Sequence, residues 1–406
     1  MLAEIVIPIL LLTAIVVGLA ALVLLARHWL EPQGQVTIEI NGDRKLMVKA
    51  GEPLLWALAE QGIYLPAACG GRGSCGQCRI KVLTGGGPML ANESVHIDRQ
   101  QADDGMRLAC MVKLRGPTRI EIPSAVLGAR RWECTVLANR CITTFLKELT
   151  LTLPAPERIH FAAGDYVLLE APPHRVAFRD FSIDPPFRKT WEDSGLLSLE
   201  SVSADSVTRA YSLANPPQQD DRIVLVVRIA PPPRTAPAAP PGCVSSYVFS
   251  CAPGDTVAIS GPFGSFHVAD GDGELIFIAG GAGIAPIRAM LLDQFARGVR
   301  RKMSFWYGCR DTQDLCYYDE LNELARLHDN FDFHVALSSA RPDEPWTGHR
   351  GFIHEIVYEA YLKNHPLPAA VDYYLCGPPL MSSAVLDMLE SLGVDRRRVN
   401  FDDFDA

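Results

Sequence analysis

The sequence has no surplus of positive charge: 38 Lys and Arg stand against 47 Asp and Glu, a net charge of −9 over 406 residues. Nucleic acid therefore has no electrostatic reason to bind. There is no internal repeat. An obvious disulfide framework is missing too, since seven of the eleven cysteines, an odd number, form no pattern of pairs. These are Cys134, Cys141, Cys243, Cys251, Cys309, Cys316 and Cys376. That argues for a reducing compartment around the bulk of the chain. The length suggests about two to four domains.

What is present begins with four other cysteines. Cys69, Cys75 and Cys78 read C-x5-C-x2-C, and Cys110 follows 32 residues after Cys78. Two sulfide-bridged iron atoms need four thiolates, and three close ligands with one distant ligand suit a [2Fe–2S] cluster. Gly70, Gly71, Gly73 and Gly76 let the loop take unusual backbone angles and bring N–H groups near the sulfurs. Zinc is the competing reading, but zinc sites usually pair their ligands two by two, and only one C-x2-C pair is present. The first gap is one residue longer than in plant-type ferredoxins, which points to a related subgroup.

Ile5 to Ala26 carries no charge over 22 residues. As a helix it would span about 33 Å, enough for a bilayer core. Glu4 precedes it, while Arg27 and His28 follow it, so the helix is expected to run from periplasm to cytoplasm. A cleaved signal peptide would want a positive start and a shorter apolar stretch. Residues 1–30 are thus expected to be a transmembrane anchor, single-pass in the inner membrane, with the remaining domains cytoplasmic.

Three further segments follow. Residues 33–128 are expected to form a β-grasp unit. Gln35–Ile40 alternates, Asn41-Gly42-Asp43 turns, Lys45–Val48 returns, and a helix covers Pro53–Glu60. The cysteine loop comes next, then strands at Cys78–Val82 and Arg119–Ile122. Residues 130–270 carry strands at Trp132–Val136, Glu148–Leu153, Gly164–Leu169 and Ile223–Ile229, which predicts an antiparallel β-barrel. Pro172–Asp205 reads as an irregular insertion, and proline-rich Pro231–Pro241 as an extended, exposed connection. Residues 272–406 alternate strand and helix, with strands at Leu275–Ala279, Met303–Tyr307, Phe333–Leu337 and Tyr373–Cys376. That is an α/β doubly wound sheet. A helix is expected to start near Pro286.

Gly280-Gly281-Ala282-Gly283 meets the needs of a pyrophosphate-binding strand-to-helix turn, although a tight turn in any α/β domain reads the same way. Three companions accompany it: Arg209-Ala210-Tyr211-Ser212, Gly261-Pro262-Phe263-Gly264 and Cys376-Gly377-Pro378-Pro379. With them the chain resembles the ferredoxin–NAD(P)H reductase superfamily. The order of anchor, ferredoxin, flavin barrel and nicotinamide domain is similar to the F subunits of bacterial Na+-translocating NADH:quinone reductases. Val227-Arg228-Ile229-Ala230, Gly242-x-x-Ser245-Ser246-Tyr247 and Phe401-Asp402-Asp403-Phe404 sharpen that resemblance.

The resemblance implies FAD, a [2Fe–2S] cluster ligated by Cys69, Cys75, Cys78 and Cys110, and NADH as substrate. It implies that Arg209 holds an FAD phosphate, Tyr211 packs on the isoalloxazine, and Ser212 hydrogen-bonds near flavin N5. Arg228 would join the cofactor-binding set, and Ser245 and Ser246 would serve the FAD pyrophosphate, an ordinary helix cap being their bland alternative. Gly281, Gly283, Gly377 and Pro378 would form the NADH pocket, Cys376 would shape it where nicotinamide docks, and Phe404 would cover the flavin. Arg310 departs from the acidic residue that favours the NAD ribose, yet the family uses NADH.

The implied activity is NADH dehydrogenation. Hydride passes to FAD, electrons then pass singly to the cluster and on to other membrane subunits that reduce quinone, coupled by the complex to Na+ translocation. One helix cannot itself form an ion pathway. A reductase component feeding an oxygenase shares the three redox domains but is typically soluble. A membrane-bound redox sensor or scaffold without turnover is the alternative of another class.

Overall fold

The computed structural model describes residues 7, 10–22, 34–233, 235–340 and 345–402. The chain divides into two compact units, one taking in Met1–Leu65 and Gly71–Leu127, the other Pro66–Gly70 and Gly128–Ala406. Residues 10–22 are helical, and Leu10, Leu12, Val16, Leu19 and Leu22 all face outward. Among the described residues no helix is long and apolar enough to cross a membrane. The expected span from Ile5 to Ala26 includes residues 5–6, 8–9 and 23–26, which lie outside the described residues.

In the first unit, β1 (Gln35–Ile40) and β2 (Arg44–Lys49) form the expected hairpin, turned by Asn41 at φ 53° and Gly42 at φ 83°. With β3 (Arg79–Thr84), β4 (Met106–Leu108) and β5 (Thr118–Glu121) they make a five-stranded sheet of order β2-β1-β5-β3-β4. β5 lies parallel to β1 and occupies the centre of the sheet. The helix Leu54–Glu60 buries Leu54, Leu55, Ala57 and Leu58. That is a β-grasp arrangement.

Its polar centre has no counterpart in the sequence expectation. Glu93 is fully buried and takes both Nε and Nη2 of Arg107 at 2.8 and 2.7 Å, as well as the Leu90 and Leu108 N–H groups. Arg107 also donates to the carbonyls of Gly86, Gly87 and Pro88. Burial alone would raise the Glu93 carboxyl, but Arg107 and the two N–H groups outweigh it and hold it below 4.5.

The second unit begins with β6 (Arg130–Cys141), β7 (Leu146–Thr152), β8 (Tyr166–Ala171), β9 (His174–Ala177), β10 (Glu200–Ser203), β11 (Val207–Ser212), β12 (Arg222–Arg228) and β13 (Thr256–Phe263). Six of these form an antiparallel sheet of order β11-β8-β13-β6-β7-β12. A bridge between Leu213 and Leu225, with Ala214 N–H on Val224 O at 2.8 Å, joins its two edges into a barrel. Between its terminal arginines β12 is apolar, from Ile223 to Val227, because both faces are covered. Ile223, Leu225 and Val227 fill the barrel. Val224 and Val226 pack with Phe277, Ile284 and Met290 of the following domain.

The stretch from Pro172 to Asp205 is not irregular, which corrects the sequence expectation. It holds the antiparallel pair β9–β10 and, between the two strands, a helix at Pro185–Asp193. Phe178, Phe181 and Trp191 sink into the barrel core, and the Trp191 indole donates to Thr144 O at 2.7 Å. Burial of these rings orders the segment, where local turn chemistry suggested a loop.

The remaining strands are β14 (Leu275–Gly280), β15 (Met303–Cys309), β16 (Phe331–Leu337), β17 (His349–Arg350), β18 (Asp372–Cys376) and β19 (Val399–Asp402). They are all parallel, in the order β17-β16-β15-β14-β18-β19. The short edge strands β17 and β19 add to the four expected ones. Leu275 and Phe277 face one core, Ile276 and Ile278 the other, which explains the uninterrupted apolar run. The helix after β14 starts at Ile284, earlier than expected, so Pro286 lies within its first turn, where a missing N–H breaks no bond.

The Glu93–Arg107 pair generates a prediction for the first unit. Arg107→Met leaves a buried carboxylate unpaired and is expected to cost about 3–5 kcal/mol, read as a lower urea midpoint. Because the folded Glu93 carboxyl lies below 4.5, the pair's contribution is present above that pH and fades as pH falls through the folded value. The variant's deficit should therefore shrink in acid; a deficit that grows there contradicts the pairing.

Candidate functional site

The order of the parallel sheet reverses between β14 and β18, and ligands of such folds bind at the strand C-termini beside that point. Here the two strand ends meet backbone to backbone. A Cβ placed on Gly283 would stand 2.1 Å from Cys376 O, and one on Gly377 would stand 3.0 Å from the Gly280 N. Only glycine permits this approach. Gly281 adds a left-handed φ of 57°, and the turn Gly281–Gly283 runs directly into the helix Ile284–Ala296. Cys376, at the end of β18, is fully buried beneath the turn.

A cavity of about 700 Å3 opens at these strand ends. Gly280 ends β14 and Gly281 follows it, Gly308 and Cys309 end β15 and Arg310 follows it, Ser338 and Ser339 follow β16, and Pro378 follows β18. The barrel supplies Thr143, Phe145, Leu146 and Arg228. The size suits a dinucleotide portion. Arg228 and Arg310 both line the cavity. Burial and the neighbouring Arg310 cation push the Arg228 guanidinium down, with Asp314 opposing. Arg310 donates to Asp314 at 3.1 Å and lies 5.5 Å from the Phe145 ring centroid. Two cations against one carboxylate favour an anionic ligand such as a pyrophosphate.

Arg209, Tyr211 and Ser212 share β11. Arg209 donates to Thr208 O at 2.7 Å. Tyr211 is half-buried against the barrel core, and burial raises its phenol well above the ordinary value. Ser212 Oγ lies 3.4 Å from Asp402 Oδ2, so the end of β19 reaches the barrel. Nothing in the sequence signals that pairing beyond the terminal Phe401-Asp402-Asp403-Phe404 run. Phe404 lies outside the described residues.

Ser245 and Ser246 open the helix Cys243–Ser250. Both hydroxyls are engaged within its first turn: each donates to Gly242 O, at 3.1 and 2.7 Å, and Ser245 Oγ accepts from Ala230 N–H. Ser246 is fully buried. These are bonds back to the carbonyl three and four residues earlier, and the helix's N-cap position, Gly242, carries no side-chain cap.

In the cysteine loop, Gly70, Gly71, Gly73 and Gly76 all have positive φ, between 64° and 81°. A Cβ on Gly73 would press on Met111 Sδ at 2.9 Å and one on Gly76 on the His96 ring at 2.7 Å. Cys78 and Cys110 bring their sulfurs to 3.4 Å, and Cys75 is partly exposed. Cys69 falls in the segment grouped with the second unit. No group of three or more His, Cys, Asp or Glu side chains among the described residues is gathered to hold a single metal ion. Sulfur donors on a glycine-wound loop fit the chemistry of an iron–sulfur cluster.

Comparison with known proteins follows these divisions. The family described as 2Fe-2S iron-sulfur cluster binding domain matches residues 38–115, the oxidoreductase FAD-binding domain family residues 196–268, and the oxidoreductase NAD-binding domain family residues 277–387. The F subunit of the Na(+)-translocating NADH-quinone reductase of Neisseria meningitidis is 46% identical over 402 residues, covering 99% of each chain. The F subunits of the same reductase in Marinomonas (45% identical, 99% of this chain and 98% of that protein) and Klebsiella pneumoniae (46%, 99% of each) are similar. Among solved structures, a cytochrome P450 reductase of Amycolatopsis superposes with TM-score 0.64 at 24% identity, covering 91% of this chain and 98% of that one. A ferredoxin reductase in carbazole 1,9a-dioxygenase gives 0.61 at 23%, with the same coverage. At those identities the two structures speak to the fold alone.

The turn makes its own prediction. Gly283→Ala should destabilise the nucleotide domain by more than about 3 kcal/mol, measured by urea unfolding and by loss of NADH binding. Gly273→Ala, whose Cβ would meet its nearest neighbour at 3.5 Å, should stay within about 1 kcal/mol.

Proposed function

Since the chain belongs to the family of Na(+)-translocating NADH-quinone reductase F subunits, we propose a site-by-site reading of how it performs the family's NADH dehydrogenation. It is an oxidoreductase with NADH as substrate and FAD and a [2Fe–2S] cluster as cofactors. When bound, FAD supplies the two-electron acceptor for hydride and the cluster the one-electron acceptor, so that one hydride is divided into single electrons.

The protein's own part is positioning, since hydride transfer needs no obligatory acid or base. Gly281, Gly283, Gly377 and Pro378 leave the strand ends bare so that a pyrophosphate can approach main-chain N–H groups. Arg228 presents charge from the barrel side. The buried Cys376 shapes the floor where the nicotinamide ring comes to rest. Arg209 offers a phosphate fork, Tyr211 a flat ring for a flat ring, and Ser212 a hydroxyl for a ring nitrogen. The Ser212–Asp402 contact supports this reading because it brings the C-terminal strand to the barrel site. Phe404, two residues on, would then cover the flavin. Ser245 and Ser246 contribute only the helix opening as an anion support, since their hydroxyls are engaged.

The domain limits we adopt are 1–30 for an anchor, 33–128 for the ferredoxin type, 130–270 for the flavin barrel and 272–406 for the nucleotide domain. Cys69, Cys75, Cys78 and Cys110 are the proposed cluster ligands. The exposed apolar helix at residues 10–22 supports a single-pass anchor in the inner membrane, holding the cytoplasmic domains against the other subunits of the complex. The observation that carries the whole reading is the cavity at the β14–β18 reversal, walled on one side by the barrel.

Two experiments test it. Cys75→Ser should abolish the cluster's EPR signal while NADH still reduces the flavin and ferricyanide still accepts electrons; loss of both would contradict separate sites. Deleting residues 1–33 should release the protein from membranes without changing NADH–ferricyanide activity, and continued sedimentation with membranes would contradict the anchor.

A further inference from the structure

Barrel and nucleotide domain share a continuous apolar core within the second unit. A polar chain crosses the same junction. Glu148, on β7, is 5% exposed and accepts from Arg140 at 3.0 and 2.6 Å and from the Tyr317 hydroxyl at 2.6 Å. Tyr317 precedes the helix Tyr318–Leu327 and has φ 54°, a left-handed conformation that is strained for a bulky side chain. Such an outlier persists only where its surroundings over-determine it. They do so here. Arg288, on the helix that leaves the glycine turn, lies 4.5 Å from the Tyr317 ring centroid. It is held by two bonds of 2.7 Å to Glu320 and a third of 2.7 Å to Ala214 O in the barrel.

The chain continues into the site. Cys316, next to Tyr317, has its sulfur 3.1 Å from the Tyr307 hydroxyl. That hydroxyl donates to Gly281 O at 3.3 Å, leaving its lone pair for the Cys316 thiol. One wall of the cavity is Phe145 and Leu146, at the start of β7; the other is Gly280 and Gly281. A path of named contacts, Glu148, Tyr317, Cys316, Tyr307, thus links the two walls.

We propose that Tyr317 is a positioning residue for the dinucleotide. Its hydroxyl ties the barrel wall to the segment that fixes the Gly281 carbonyl, and so sets the width of the cleft before NADH enters. Tyr317 touches neither reacting atom, and its effect falls on binding of the dinucleotide more than on the chemical step. The inference rests on the cavity being the NADH site.

The test is steady-state NADH oxidation by the full chain loaded with its cofactors, with ferricyanide as acceptor. Tyr317→Phe and, independently, Glu148→Met should each raise KM for NADH about five- to tenfold, with kcat within about twofold and FAD content unchanged. Glu148→Gln, which keeps an acceptor for the hydroxyl, should restore KM to within about twofold of wild type. The double variant Tyr317→Phe/Glu148→Met should be no worse than either single one. An unchanged KM in both single variants overturns the proposal. So does a joint fall of kcat and FAD content at constant KM, the mark of a merely structural tie. If the wild-type chain failed to oxidise NADH, the reading of the cavity would fall first, a result distinct from both.

Discussion

The structure depends on one steric constraint: the ends of β14 and β18 approach until Gly283 meets the carbonyl of Cys376 with no room for a Cβ. Everything at the nucleotide site follows from that contact. It places a bare turn at the reversal of the sheet, starts a helix directly behind it, and buries Cys376 beneath it. A side chain at Gly283 would press on the Cys376 carbonyl and hold the strand ends apart. The apolar run Leu275–Ala279 supports the contact from both faces of the sheet.

The barrel is the second necessity, because a dinucleotide must be gripped at its pyrophosphate and presented flat at its nicotinamide. β12 packs into the barrel with one face and against the nucleotide domain with the other, so barrel residues belong to the core of the nucleotide domain. Arg228 at the end of that strand carries charge to the cavity, and β11 carries Tyr211 and Ser212 on the same scaffold. Sites built on strands hold geometry better than sites on loops, which suits a reaction whose catalysis is mostly orientation.

Much of this was legible in the sequence, for physical reasons that differ by element. The cysteine spacing, the glycine turn and the β1–β2 hairpin depend on residues close in the chain, where residue type decides the backbone. The doubly wound sheet announced itself because buried parallel strands read as plain apolar runs. The Pro172–Asp205 segment misled because its order comes from Phe178, Phe181 and Trp191 entering a core built by distant strands. Asp402 beside Ser212, Arg107 on Glu93 and Tyr317 on Glu148 are likewise long-range pairs, and no local pattern encodes them. For Ser245 and Ser246 the motif was visible, but that both hydroxyls turn inward onto Gly242 was not.

The central claim is an order of events: hydride enters at the cavity beside β14, reaches the flavin in the barrel, and only then do single electrons arrive at Cys69, Cys75, Cys78 and Cys110. The most direct measurement is anaerobic stopped-flow mixing of NADH with the cofactor-loaded chain, following flavin and cluster absorbance separately. The account predicts that flavin bleaching comes first and that cluster bleaching follows with a lag. Cluster reduction without prior flavin bleaching would contradict it.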